Sequence, residues 1–433
     1  MNPLSSFLPP RAAALGFPMR IPLLFSFLLS LPSPVHAQSL AECIEIARAN
    51  NASVKVSDLQ VQRARRMEGT YFEMDRTELS LSQDPTSGGS PDNALTLSQK
   101  IDFPTVYRSR RKLLKAETQV EEMRHQITES ELARDVSVAY SKLLFWQHVE
   151  ALLCGNDSVL AEFVRTADIR YRNGETNRLE LMNAQQMKAE NGIRLREAQD
   201  EKTAATIQLQ QLMNTSETVV ATDRYQCVQP APEAYSFAAT PQGMLLESEQ
   251  VRTEREFAYI RQRMTPSLNV GLRHQLVFSG INPYDVDRSR FDKGNWMGFE
   301  VGIGIPMFYG SQKARKSAAK LDMDIARTKR EQAERQSQAE LLIAKNAVES
   351  ARCSYDYYQS DASPAAKEMR RLSRIEYRAG EITYVEHAQN LSAALDVEID
   401  HAKAIDALNQ AIIKLNFIKG KASPPAPLPR RGE

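Results

Sequence analysis

Ile101-Asp102-Phe103-Pro104-Thr105-Val106-Tyr107-Arg108-Ser109 returns 202 residues later as Ile303-Gly304-Ile305-Pro306-Met307-Phe308-Tyr309-Gly310-Ser311. A second stretch, Ile169-Arg170-Tyr171-Arg172-Asn173-Gly174-Glu175 with Glu180 beyond it, returns 206 residues later as Ile375-Glu376-Tyr377-Arg378-Ala379-Gly380-Glu381 with Glu386. Two signatures repeated in the same order at nearly equal offsets make the chain a duplication. Solenoid units run about 20 to 50 residues, so a repeat this long is one elaborate module present twice.

Working outward from Pro104, the residues before it alternate apolar with polar. Glu78-Leu79-Ser80-Leu81-Ser82-Gln83 and Ala94-Leu95-Thr96-Leu97-Ser98-Gln99-Lys100-Ile101-Asp102-Phe103 predict strands over 78–83 and 94–103. The Pro- and Gly-rich cluster between Asp84 and Asp92 makes them a hairpin. Leu79, Leu81, Leu95 and Leu97 fall on one face, and Ser80, Ser82, Thr96 and Ser98 on the other. After Pro104, which suits a first helical turn, the period changes to that of a helix. Leu113, Ala116, Val120, Met123 and Ile127, then Leu132, Val136, Ala139, Leu143 and Trp146, form a coiled-coil seam. The absence of proline predicts one helix over 105–172, about 100 Å long at a rise of about 1.5 Å per residue, with Gly155-Asn156-Asp157 its weak point. Asn173-Gly174 supplies a reversal into a return helix over 176–213.

The first repeat thus covers 38–213 and opens with a helical segment over 39–70, broken at Asn50-Asn51. The second covers 241–420, with a helix over 241–264, strands over 267–278 and 296–305, a long helix over 307–378 and a return helix over 382–418. The strands are joined by a long polar connection from Ser279 to Asn295. The stretch 214–240, with Pro230 and Pro232, reads as the link, and 421–433, rich in proline, as a disordered tail.

The amino terminus carries a short apolar run, Ile21 to Leu31, closed by Val35-His36-Ala37. It is too short to span a bilayer and reads as a secretory signal over 1–37, with Met19-Arg20 pointing to Met19 as the natural start. Nothing later approaches a membrane-spanning helix, so entry into a membrane would be by strands. The 55 basic and 54 acidic residues give no footprint for nucleic acid. Cys43, Cys154, Cys227 and Cys353 are isolated, and Glu42 directly before Cys43 argues against a lipidated cysteine.

Two hairpins cannot close a membrane barrel, because four strands leave open edges and the smallest single-chain barrels have eight. Three copies supply twelve, an even number that closes, with leucines toward lipid and serines toward water. The plainer alternative is a soluble hairpin packed on a core.

On these features the chain resembles the TolC family of outer-membrane efflux proteins. The residues that carry the resemblance are Pro104-x-x-Tyr107-x-Ser109 with Pro306-x-x-Tyr309-x-Ser311, and Tyr171-x-x-Gly174 with Tyr377-x-x-Gly380, set in a doubled strand-strand-long-helix plan. The resemblance implies a mainly α fold with membrane β: a homotrimer whose shared twelve-stranded barrel sits in outer-membrane lipid of a Gram-negative bacterium and continues as a periplasmic helical tunnel. It implies as partners a periplasmic adaptor (membrane fusion protein) and an inner-membrane pump of RND or ABC type. It places Tyr171, Gly174, Tyr377 and Gly380 at the periplasmic tip, where the adaptor docks. Glu180, Asn183, Glu386 and Gln389 then become candidates for the pore constriction, although the family's second acid is replaced at Asn183 and Gln389 and its arginine by Ile382. For Glu180 and Glu386 the plainer alternative is solvated helix-face charge.

No catalytic constellation is present. His125, His148, His274, His387 and His401 are scattered at no ligand spacing, and nothing calls for a metal or other cofactor. The expected function is that of a passive duct for small molecules or metal ions. The alternatives are an exit duct for proteins in type I secretion and a periplasmic coiled-coil adaptor or structural protein, which would carry one helical hairpin flanked by β domains, or no two-faced strands.

Overall fold

The computed structural model describes residues 36–84, 92–232, 234–276, 296–307 and 309–421. Residues 1–35 of the signal expected over 1–37, the hairpin turn over 85–91, the connection over 277–295 and the tail from 422 lie outside the described residues.

Each repeat contributes a hairpin of strands and a hairpin of helices. β1 (His36–Gln38) leads into α1 (Leu40–Asn50) and α2 (Ala52–Met67). Asn51 ends the first of these helices and caps the second, its side chain accepting from the Ser53 amide. β2 (Glu78–Asp84) and β3 (Asp92–Ile101) follow, then α3 (Pro104–Arg172), 69 residues of unbroken helix, and α4 (Arg178–Met213). Gly155 does not interrupt α3, because its neighbour Asn156 is buried and donates to Asn191 of α4 at 2.9 Å. After β4 (Val219–Ala221), the second repeat runs α5 (Pro241–Gln262), β5 (Ser267–Leu276), β6 (Trp296–Gly304), α6 (Tyr309–Tyr357), α7 (Ser363–Ala379) and α8 (Tyr384–Ile418).

The long helix expected over 307–378 is divided. A π-helical turn, Tyr358–Ala362, separates α6 from α7. Pro364 has no amide to donate back along the helix and its ring crowds the preceding turn, so the winding widens just ahead of it.

The stretch between repeats is also more ordered than a bare link. β4 pairs in parallel with β1, and beyond it the chain runs along α8 as a strap. Asn409 donates to the Gln226 carbonyl at 3.0 Å and accepts from the Val228 amide at 2.8 Å, and Asn416 accepts from the Ala231 amide at 2.8 Å. Three extended residues and seven helical ones both span about 10 Å, so a heptad of α8 keeps step with three residues of strap.

The four strands form one antiparallel sheet in the order β2-β3-β5-β6. Leu79, Leu97, Leu272 and Phe299 lie in register across it, as do Ile101, Leu268 and Ile303, and all but Ile101 are prominently exposed. The other face carries Ser80, Thr96 and Arg273 in one row and Glu78, Ser98 and Glu300 in the next. His274, between Leu95 and Met297, and Gln99, beside Val270, are polar positions on the apolar face. β2 and β6 each have a neighbour on one side only. Among the described residues no helix is long and apolar enough to cross a membrane.

The apolar core is strung along α3. Leu132, Val136, Tyr140 and Leu143 pack with α1 and the end of α4. Phe145, Val149 and Leu153 meet Leu395 and Ile399 of α8. Leu160, Phe163 and Ala167 meet Ala184 and Tyr377 at the far end.

Candidate functional site: the helical tip

The two helical hairpins reverse at the repeated Tyr-Arg-x-Gly-Glu signature. Gly174 and Gly380 have φ of 73° and 78°. The Gly174 amide donates to Tyr171 and that of Glu175 to Arg170, while Gly380 and Glu381 donate to Tyr377 and Glu376. These paired bonds close a helix end around a left-handed residue, where glycine alone has no steric cost. Return helix α4 starts with the Asn177 side chain accepting from the Glu180 amide, and α8 with a capping box between Thr383 and Glu386.

The signature repeats, but its environment does not. Tyr171 is 41% exposed, whereas Tyr377 is 8% exposed and crosses to the other hairpin. Its hydroxyl donates to Glu180 Oε1 at 2.7 Å, and Arg170 Nη1 lies 3.2 Å from that hydroxyl and 3.5 Å from the carboxylate. The Arg170 guanidinium also sits over the Tyr377 ring, 5.5 Å from its centre, and Thr176 donates to the second Glu180 oxygen. Burial, then the bond to Glu180, pushes the Tyr377 hydroxyl up to about 12, so it stays a donor at any physiological pH. A fully partnered carboxyl group therefore clasps the first hairpin to the second.

His387 completes the clasp from behind. Only 4% exposed, it stacks parallel on Tyr377, with ring centres 4.5 Å apart and planes within 4°. Phe163 meets it edge-on, and Ser373 Oγ lies 2.8 Å from Nδ1. Burial holds the imidazole below its ordinary value, partly offset by a bond to the Ser373 main chain.

The four polar positions expected to line a constriction have different fates. Glu180 is 3% exposed, and its carboxyl group is engaged by Tyr377, Arg170 and Thr176. Asn183 donates to Tyr384 across the hairpins at 3.3 Å. Glu386 is exposed, its carboxylate held below the usual range by the main chain and side chain of Thr383. Gln389 is exposed and borders a groove of about 280 Å³ with Asn156, Asn191 and Arg194. The parts of the clasp that sequence reading missed are Arg170, Thr176 and His387. The first two lie within or beside the repeated signature but differ between its copies. Among the described residues no group of His, Cys, Asp or Glu is arranged to hold a metal.

The sequence matches no protein-family profile and no curated protein. Solved structures do match over most of the chain. CusC, studied for the changes that accompany its folding and transmembrane channel formation, superposes with a TM-score of 0.73 at 17% identity, covering 89% of this chain and 93% of that one. The CmeC outer membrane channel of Campylobacter jejuni gives 0.69 at 16% identity, covering 90% and 87%. The open MtrE outer membrane channel of Neisseria gonorrhoeae gives 0.70 at 18% identity, covering 88% of each chain. At such identities the likeness is one of fold: this chain has the fold of the TolC-family outer-membrane channels.

Proposed function

We propose that the protein is the outer-membrane duct of a tripartite efflux system, a passive channel formed by three copies. The observation that carries this reading is the sheet: apolar on one face, polar on the other, and open at both edges. Lipid tolerates no unpaired strand edge, so β2 of one copy must pair with β6 of the next until the ring closes. Three copies of four strands give twelve, with the polar face lining a water-filled lumen. The helical hairpins continue the lumen into the periplasm and end at the clasped tip. There Tyr171, Gly174, Gly380 and their flanking turns face a periplasmic adaptor coupled to an inner-membrane pump, and Glu386 and Gln389, both exposed, are the constriction candidates. Glu180 and Tyr377 instead keep the tip closed.

Full-length protein inserted into planar bilayers should conduct in discrete steps, and Tyr377→Phe, which removes the donor to Glu180, should raise the conductance. Protein that enters the bilayer but carries no current in either form would contradict the duct.

A further inference from the structure

The helices that begin at the tip and those that begin beneath the sheet start differently. α4 and α8 each carry a carboxylate in the first turn, Glu180 and Glu386, as the positive end of a helix dipole favours. α3 and α6 carry none. Their first twelve residues hold cations instead: Arg108, Arg110, Arg111, Lys112 and Lys115 in 104–115, and Lys313, Arg315, Lys316 and Lys320 in 309–320, with no carboxylate in either stretch. Cations crowded there repel one another and the dipole, so both repeats keep an arrangement that costs the helices stability. The chain as a whole is balanced, with 55 basic against 54 acidic residues, so the excess is local. Only Arg110 has an acidic partner, Glu73; among the described residues the others form no ion pair, and all of these but Lys316 are exposed.

Directly ahead of the cations in the chain, the apolar face of the sheet continues past its last paired residues. Phe103, Ile305 and Met307 keep the alternation of Ile101 and Ile303 and are 53%, 59% and 78% exposed, with Tyr309 at 51% two residues on. Apolar and aromatic side chains with long cationic ones next to them suit the boundary of a bilayer, where the former stay with acyl chains and the latter extend their charge to the headgroups. Resting on the barrel reading above, we propose that this basic band binds the phosphate headgroups of anionic phospholipid in the leaflet that faces the periplasm. The occupant is lipid because one phospholipid meets both features: its phosphate supplies the negative charge that the starts of α3 and α6 lack, and its acyl chains cover Phe103, Ile305 and Met307. The band is built in both repeats, so a closed trimer carries it all the way round the lower rim of the barrel.

The test uses full-length protein in mild detergent with equal amounts of phosphatidylglycerol and phosphatidylcholine, and native mass spectrometry to weigh the lipid that stays on the particle. The unmodified trimer should retain phosphatidylglycerol well above phosphatidylcholine, and the preference should shrink as sodium chloride rises from about 50 mM to about 500 mM, because salt screens exposed charge. Lys313→Gln with Arg315→Gln and Lys316→Gln should cut phosphatidylglycerol retention roughly tenfold and leave phosphatidylcholine unchanged. Lys329→Gln with Arg335→Gln and Lys345→Gln, the same loss of charge at exposed positions farther down α6, should change neither. Neutral side chains suit the start of a helix better than cations do, so the first variant should fold and assemble. Equal retention of the two lipids by the unmodified trimer, or equal loss of phosphatidylglycerol from both variants, overturns the headgroup site. So does a first variant that keeps its lipid but shifts the ratio of chloride to potassium current in planar bilayers, since its cations then face the lumen. In each of these cases a conducting trimer leaves the duct standing, whereas a particle of one chain removes the barrel itself.

Discussion

Gly174 and Gly380 have open space where a Cβ would stand, so a substitution there acts through the backbone alone. Forcing a β-branched residue into the left-handed region costs about 1–2 kcal/mol at each site. Gly174→Val with Gly380→Val should therefore distort the tip while the distant sheet assembles; the expected outcome is a normal trimer yield with efflux and adaptor cross-linking lost. Normal export by the double variant would remove the tip from the account. His387 gives a pH dependence at the same place. Around it stand Ser373 and Tyr377 of α7, Phe163 of α3 and, one turn along α8, Asn390; the ionisable groups beyond are Glu180 of α4, Arg170 of α3 and Glu386 at the Thr383 cap. Because the closed form holds the imidazole neutral, its contribution is complete above the ordinary histidine value of about 6.5 and is lost as pH falls below it. Amide exchange over residues 373–390, corrected for intrinsic rates, should quicken between pH 7.5 and 5 in the native protein and stay level in His387→Gln; equal quickening in both would assign the effect elsewhere. The glycines were legible in sequence because a tight reversal demands their backbone freedom. The clasp was not, because Tyr377 and Glu180 lie 197 residues apart and Glu180 and Glu386 look equivalent until the caps differ.

The strands were readable because period 2 survives wherever one face meets lipid and the other water, and the pairing of Leu79 with Leu97 and of Leu97 with Leu272 keeps that facing across the hairpins. A charge on the lipid side of such a barrel costs about 2–4 kcal/mol near the bilayer midplane, against little on the lumen side. Leu97→Arg should thus cut the yield of assembled, membrane-inserted protein severely, and Ser98→Arg should leave it near normal. Equal loss from both, measured as trimer in outer-membrane fractions, would contradict the assigned facing. The helices were legible in their seams but not in their interruptions. Asn156 reads as a weak point beside Gly155, yet it pairs with Asn191 and the helix runs through, while Pro364 stands inside an otherwise continuous helical pattern and opens a π-turn. The strap over α8 left no periodic trace, because Asn409 and Asn416 bond its main chain whatever its side chains are.

On the proposed reading, one chain supplies a third of a barrel that two further copies complete. One chain offers a sheet with two open edges and exposed apolar faces on α4 and α7. The fold class was legible because the duplication, the switch from period 2 to the helical period and the absence of spanning helices all restrict the answer together. The order of the strands and the inequivalence of the two tip signatures needed coordinates, since both depend on contacts between the repeats. The central claim, that three chains close one barrel and one tunnel, is tested most directly by electron cryo-microscopy of the full-length protein extracted in mild detergent. The account predicts a threefold particle in which twelve strands form a single barrel, β2 of each copy paired with β6 of the next. A monomer that is well behaved without detergent, or a particle in which those two edges stay unpaired, would contradict it.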